Sequence, residues 1–240
     1  LTMLLTPFVP CTARLAVLTF VAAAVFAADA TLVVWSLVTL NILVLGAVGM
    51  VVHNFFMKEE PTPFIMELPL YHRPDPNTIG HVVWWRTVAF VRKAGTIILT
   101  MSILVWLLAY FPDGRTETSI LAWIGHLLEP LGLPLGLDWK MVTALITSVV
   151  AKENAIATLG VLYGVGGQGL LKVLPAVMGH APALAFLTVL MLFVPCAATI
   201  AVMKREMADR RWFVTSLVLT LVVSYLVGMA AYRIALWTGL

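Results

Sequence analysis

Apolar runs of membrane-crossing length, parted by short polar clusters, organise the whole 240-residue chain. Two such runs, from about Leu4 to Ala28 and from about Leu32 to Phe56, flank the turn Ala28-Asp29-Ala30-Thr31, and Arg14 is the one Lys or Arg within either. Further runs extend from Gly95 to Phe111, from Ala183 to Met203 and from Trp212 to about Tyr232. Crossing roughly 30 Å of hydrocarbon takes about 20 apolar residues in a helix, so the pattern predicts an all-α polytopic membrane protein with about five transmembrane helices.

The segments between the runs read differently. Met57 to Thr78 holds Pro61, Pro63, Pro69, Pro74 and Pro76, which remove helical donors and forbid a long helix, so an extended loop is expected. From Ile79 to Lys93, Trp84, Trp85 and Phe90 lie among His81, Arg86, Arg92 and Lys93, the make-up of a helix lying in the membrane surface. A second amphipathic stretch, Ile120 to Leu131, follows the loop Pro112 to Thr116. The chain then divides into 1–56, the end of one membrane half; 57–94, a cytoplasmic Pro-rich loop with its interfacial helix; and 95–240, a second half.

Composition narrows the class. With 61% hydrophobic residues, 11% charged and a mean hydropathy of +1.00, the chain is too apolar for a soluble domain, and its partner is the lipid bilayer. The net charge of +3 comes from basic residues at the ends of spans, which reports orientation and gives no reason to expect nucleic acid. Two cysteines in apolar surroundings make neither a disulfide framework nor a zinc cluster. No GxxxxGK[ST] phosphate loop occurs, so this chain is expected to be no enzyme and to hold no GTP site. It opens with Leu1, without a signal-peptide pattern, and reads as part of a longer protein.

One repeat stands out. Phe8-Val9-Pro10-Cys11-Thr12-Ala13-Arg14-Leu15-Ala16-Val17 returns 185 positions later as Phe193-Val194-Pro195-Cys196-Ala197-Ala198-Thr199-Ile200-Ala201-Val202, and the copies hold the chain's two cysteines. Each Pro deletes a backbone donor inside an apolar run and frees a carbonyl one turn earlier, here those of Thr6 and Met191. Paired broken helices offering carbonyls beside thiols can build an ion site at the midplane. A packing kink with an inert cysteine is the alternative. On the first reading Cys11 and Cys196 belong to an ion pathway, with Pro10 and Pro195 as gate or structural supports.

Met141 to Tyr163 is apolar except for Lys152-Glu153-Asn154 at its centre. A single crossing would divide the flanking Lys and Arg residues seven to six across the membrane. A re-entrant hairpin instead places Lys58, Arg73, Arg86, Arg92, Lys93, Lys204, Arg205, Arg210 and Arg211 on one side against Arg115, Lys140, Lys172 and Arg233. The second division obeys the positive-inside rule, which predicts a hairpin over 141–163 with the more basic side cytoplasmic. The two Pro-Cys copies then run in opposite directions, as in an inverted repeat. At the tip, carbonyls ending the first arm favour Lys152 and amides opening the second favour Glu153. Because charge in the bilayer is costly, Glu153 is either a cation ligand or gate residue, with Asn154 beside it, or half of a neutral brace with Lys152. Arg14 is a gate partner or a structural cation satisfied by hairpin carbonyls; a cation pathway favours the structural role.

Four stretches in order, Pro63-Phe64-Ile65-Met66-Glu67-Leu68-Pro69-Leu70-Tyr71, Lys93-Ala94-Gly95-Thr96-Ile97-Ile98, Val150-Ala151-Lys152-Glu153-Asn154 through Thr158-Leu159-Gly160-Val161-Leu162-Tyr163-Gly164, and Val194-Pro195-Cys196-Ala197-Ala198-Thr199, together resemble the C-terminal membrane region of the bacterial ferrous iron transport protein B family. The resemblance implies Fe2+ uptake across the bacterial cytoplasmic (inner) membrane through two Gate-type halves coupled to a GTP-binding domain. It places Cys11 and Cys196 at the family's iron-pathway positions. Its implied partners are an upstream GTP-binding domain and first Gate half, and a small cytoplasmic accessory protein; homo-oligomerisation stays open. Fe(II) accepts thiolate, carboxylate and carbonyl ligands, and Cys11, Cys196, Glu153 and freed carbonyls offer all three. A Gate-type transporter of a small organic solute such as a nucleoside, using Asn154, Thr147 and Ser148, is the alternative, and a non-transporting membrane remnant is a third reading.

Overall fold

The computed structural model describes residues 2–56, 75–112, 114, 118–165, 167–207 and 209–239, and all regular structure among them is helical. The expected loop 57–78 lies outside the described residues as far as 74.

The first span is broken, as its proline requires. A single turn, α1 (Thr2–Leu5), passes through a 3₁₀ turn (Thr6–Phe8) into an extended break before α2 (Thr12–Phe26) resumes. After Ala27–Asp29, α3 (Ala30–Phe56) returns antiparallel to it. Two contacts fix that direction: Asn41 Nδ2 donates to the Phe8 carbonyl at 3.0 Å, and the backbone of Gly49 passes against Leu5. Three stretches among the described residues are long and apolar enough to cross a membrane, Met3–Asn54, His180–Glu206 and Arg210–Thr238, and the antiparallel return of α3 makes the first of them two crossings.

The next element differs from its expectation. In place of an interfacial helix over Ile79–Lys93 and a separate span over Gly95–Phe111, one helix, α4 (Pro76–Tyr110), runs for 35 residues, about 52 Å at 1.5 Å per residue. Gly95 costs only about 1 kcal/mol relative to Ala in a helix interior, too little to end one. The helix therefore runs straight through the boundary drawn at 94/95. Its start is set by Pro76 and by Asp75, whose carboxylate accepts from the Thr78 hydroxyl and from the amides of Asn77 and Thr78; these bonds hold the Asp75 carboxyl below the usual carboxylate range. Trp84 and Trp85 project outward from the polar half, and residues 95–110 supply the fifth apolar segment.

Helix α5 (Ile120–Gly132) continues through a 3₁₀ turn (Leu133–Leu135) and meets α6 (Trp139–Thr147) at a bend of 105°. Gly136 makes the corner with φ of 69°, and a Cβ there would sit 2.4 Å from the Tyr232 ring, so both conformation and space require glycine. α7 (Asn154–Leu162) runs back beside α6, followed by α8 (Gly167–Val177), α9 (His180–Leu192), α10 (Ala197–Glu206) and α11 (Arg210–Thr238). The core gathers on α9, where Phe186, Leu187, Leu190 and Met191 are sealed from solvent. α11 lies close against it: a Cβ on Gly228 would fall 2.4 Å from Val189 Cγ2.

Helices α2 and α9 are antiparallel. Arg14, early in α2, reaches the Phe193 carbonyl just past α9, while Phe26, at the end of α2, packs its ring 5.4 Å from that of His180, which opens α9. The two Pro-Cys copies thus run in opposite directions.

Candidate functional site

Each Pro-Cys copy folds alike because the same residues forbid the same bond. The cysteine takes an extended conformation and becomes the N-cap of the helix that follows, Cys11 for α2 and Cys196 for α10. Neither thiol caps its helix; instead the Cys carbonyls accept the first helical bonds, from Leu15 at 3.2 Å and Ile200 at 2.9 Å.

Of the two carbonyls expected to be freed by the breaks, those of Thr6 and Met191, the first is not free. Thr6 O is taken locally by the Val9 amide at 3.1 Å, because the chain tightens into a 3₁₀ turn before the proline. The carbonyls that reach side chains are Pro7 and Phe8 at the first break and Phe193 and Val194 at the second. Arg14 Nη1 donates to Pro7 O at 2.9 Å and Nη2 to Phe193 O at 2.8 Å, so one guanidinium joins both breaks. Arg14 is thus held by the breaks' own carbonyls and not by the hairpin's. A planar fork with several donors is suited to spanning two acceptors, which an ammonium does less well.

The hairpin tip completes the cluster. Lys140 Nζ donates to Leu162 O at 3.1 Å at the open end, and Thr147 and Thr158 hydroxyls meet at 2.8 Å nearer the turn, so the arms of 141–163 run side by side. At the tip, Lys152 Nζ donates to Val194 O at 2.7 Å and lies 5.3 Å from the Phe193 ring centroid, and the Ala197 amide donates to Val149 O at 2.7 Å. Arg14 and Lys152, 3% and 2% exposed, lie within electrostatic reach of each other and of both thiols.

The Lys152–Glu153 brace, one of the two readings of this pair, does not form among the described residues. Lys152 turns inward to Val194 O, whereas Glu153, at the start of α7, turns out to an exposed position and makes no ion pair among the described residues. Adjacent residues at a helix start point in different directions, so one cannot neutralise the other. Asn154 is half-buried and borders a cleft of about 200 Å³ with Trp106, Ser119, Thr158 and Val161. Cys11 is exposed; Cys196 is half-buried with its sulfur 3.3 Å from Thr199 Oγ1. Among the described residues no three His, Cys, Asp or Glu side chains are grouped to hold a metal, so Cys11, Cys196 and Glu153 do not form a closed ligand set in this conformation. Of the polar groups suited to an organic solute, Thr147 is bonded to Thr158 and Ser148 to Leu145 O at 2.6 Å, while Asn154 borders the cleft.

Sequence reasoning missed Asn41, 1% exposed, which holds the Phe8 carbonyl and leaves its own Oδ1 without a partner among the described residues. The available signal was one amide side chain in the middle of a 27-residue apolar helix.

Comparison with known proteins brings the family into view. A family model described as Gate, nucleoside recognition, matches residues 91–210, and one described as ferrous iron transport protein B C terminus matches residues 34–86. Curated relatives include a Fe(2+) transporter FeoB of Methanocaldococcus jannaschii, 32% identical over 241 residues, and one of Staphylococcus aureus, 32% identical over 238 residues; the matches cover 95% and 97% of this chain and 36% of each relative. A protein of Porphyromonas gingivalis described as an Fe(2+) transport protein A/Fe(2+) transporter FeoB fusion is 29% identical over 289 residues, covering 98% of this chain and 34% of the relative. The chain therefore spans about a third of the length of the relatives it matches. No solved structure gives a significant match.

Proposed function

We propose that this chain, which belongs to the Gate family and is similar over nearly its whole length to the C-terminal membrane part of FeoB-type ferrous iron transporters, forms part of the Fe2+ permeation path of a multi-pass uptake transporter in the bacterial cytoplasmic membrane. The observation that carries the reading is the meeting of two oppositely directed Pro-Cys breaks, joined by Arg14 and covered on one side by a hairpin tip. Inverted broken helices expose backbone and thiol ligands at one depth, and an ion that must leave again needs few, exchangeable ligands. Cys11 and Cys196 are the chain's thiol ligands, and Glu153, exposed at the hairpin tip, receives or releases the ion. Arg14 and Lys152 serve structure: each holds break carbonyls that would otherwise be left in an apolar surround.

Nucleotide chemistry belongs elsewhere in the transporter, since no phosphate-loop motif occurs in these 240 residues. A GTP-binding domain and a first Gate half are the expected companions. The fused A protein in the P. gingivalis relative favours a small accessory protein as a further partner. Fe(II) uptake by cells carrying the complete transporter, with Cys11 and Cys196 intact or replaced, tests the reading.

A further inference from the structure

The two Pro-Cys breaks repeat each other in sequence but not in what covers them. At the second, the hairpin tip satisfies two backbone groups: the Ala197 amide donates to Val149 O, and Val194 O accepts from Lys152 Nζ, both at 2.7 Å. The repeat places Thr12 N and Val9 O at the equivalent positions of the first break. Neither has a hydrogen-bond partner among the described residues. Val9 is 56% exposed against 8% for Val194, and Cys11 is exposed where Cys196 is half-buried. An unpaired amide and carbonyl three residues apart in a span of membrane-crossing length are costly in hydrocarbon. The same chain satisfies the same two atoms in its other copy.

We propose that Val9-Pro10-Cys11-Thr12 is the docking surface for the tip of a second re-entrant helical hairpin, carried outside these 240 residues, which gives a hydrogen-bond donor to Val9 O and a backbone carbonyl to Thr12 N. The curated relatives have ample chain for it, since this sequence spans 36% of their length. Lipid tails offer neither donor nor acceptor. The chain's own tip is committed to residues 194–197, so a second copy has no free hairpin to lend. Once docked, the second tip covers Cys11 as the first covers Cys196 and closes the cluster from both sides. The inference rests on the inverted-repeat reading of the permeation path, but its test reads geometry and not iron flux, so the two stand or fall separately.

The test places p-benzoylphenylalanine at Val9, whose exposure tolerates the change, in the protein as it occurs in its own host membrane. After irradiation the adduct is mapped by mass spectrometry. The expected adduct is an apolar helical segment outside residues 1–240. Thr12→Pro should lower its yield several-fold, because it removes the amide while proline fits the first position of a helix and Cys11 already has the extended backbone that must precede it. Adducts confined to lipid or to residues 1–240 of another copy, no protein adduct at all, or a yield unchanged by Thr12→Pro, each overturn the proposal.

Discussion

Arg14 and Phe193, 179 residues apart, are joined by a hydrogen bond of 2.8 Å from guanidinium to backbone carbonyl, and the same guanidinium holds Pro7 O at 2.9 Å. One side chain thus fixes two broken helices against each other. Arg14→Met strips Pro7 O, which is buried, and Phe193 O, which is partly buried, of the guanidinium, at up to about 1–3 kcal/mol each, and should lower the thermal midpoint markedly. Arg14→Lys supplies a single ammonium in place of the fork and should recover only part of the loss. Thermal unfolding of the purified variants in detergent checks this; equal stability of Met and wild-type proteins would show that the contact contributes nothing.

The separation of Lys152 from Glu153 makes their mutational effects independent. Lys152→Met strips Val194 O of its donor and should destabilise the protein by about 1–3 kcal/mol. Glu153→Gln should leave the thermal midpoint nearly unchanged yet reduce Fe(II) flux about tenfold, roughly 1.4 kcal/mol of barrier. In the double mutant the stability effects should add within about 0.5 kcal/mol, as for groups that do not touch. Recovery of stability in the double mutant would restore the brace.

Much of this arrangement was legible in the sequence, for identifiable reasons. Pro10 and Pro195 announce the breaks because no proline can donate the missing bond, and the Lys and Arg imbalance announces the hairpin because the membrane sorts charge by side. The helix joining Ile79–Lys93 to Gly95–Phe111 was not legible: periodicity and composition change near Lys93, but nothing there breaks a backbone hydrogen bond. Nor were the partners of Arg14, Lys152 and Asn41. Their acceptors lie up to 179 residues away, and which carbonyl a break exposes depends on the local 3₁₀ turn rather than on the position of the proline alone.

The hairpin has a topological consequence. Lys140 Nζ meets Leu162 O at 3.1 Å, so the ends of the hairpin open at the same level. Single cysteines at Lys140 and Val165, in a Cys11→Ser and Cys196→Ser background, should label with an impermeant reagent from the same, outer side of the membrane. Labelling from opposite faces would turn 141–163 into a single crossing.

The corner at Gly136 offers a control remote from the proposed ion path. Gly136→Ala forces a side chain into a left-handed backbone and against the Tyr232 ring, 2.4 Å from the new carbon. Substitutions of this kind cost upward of about 1 kcal/mol. Thermal unfolding should register the loss, whereas Fe(II) flux per folded molecule should hold; a selective loss of flux would extend the functional region to this corner.

The most direct measurement is Fe(II) uptake by the complete transporter carrying Cys11→Ser, Cys196→Ser, or both. The exchange of sulfur for oxygen removes the soft ligand while nearly preserving size, and neither thiol caps its helix, so expression and thermal stability should stay close to those of the parent. Each single change should depress uptake about tenfold or more, roughly 1.4 kcal/mol or above, with the double mutant at background. Uptake in the double mutant equal to that of the parent would remove both thiols from the pathway and contradict the account.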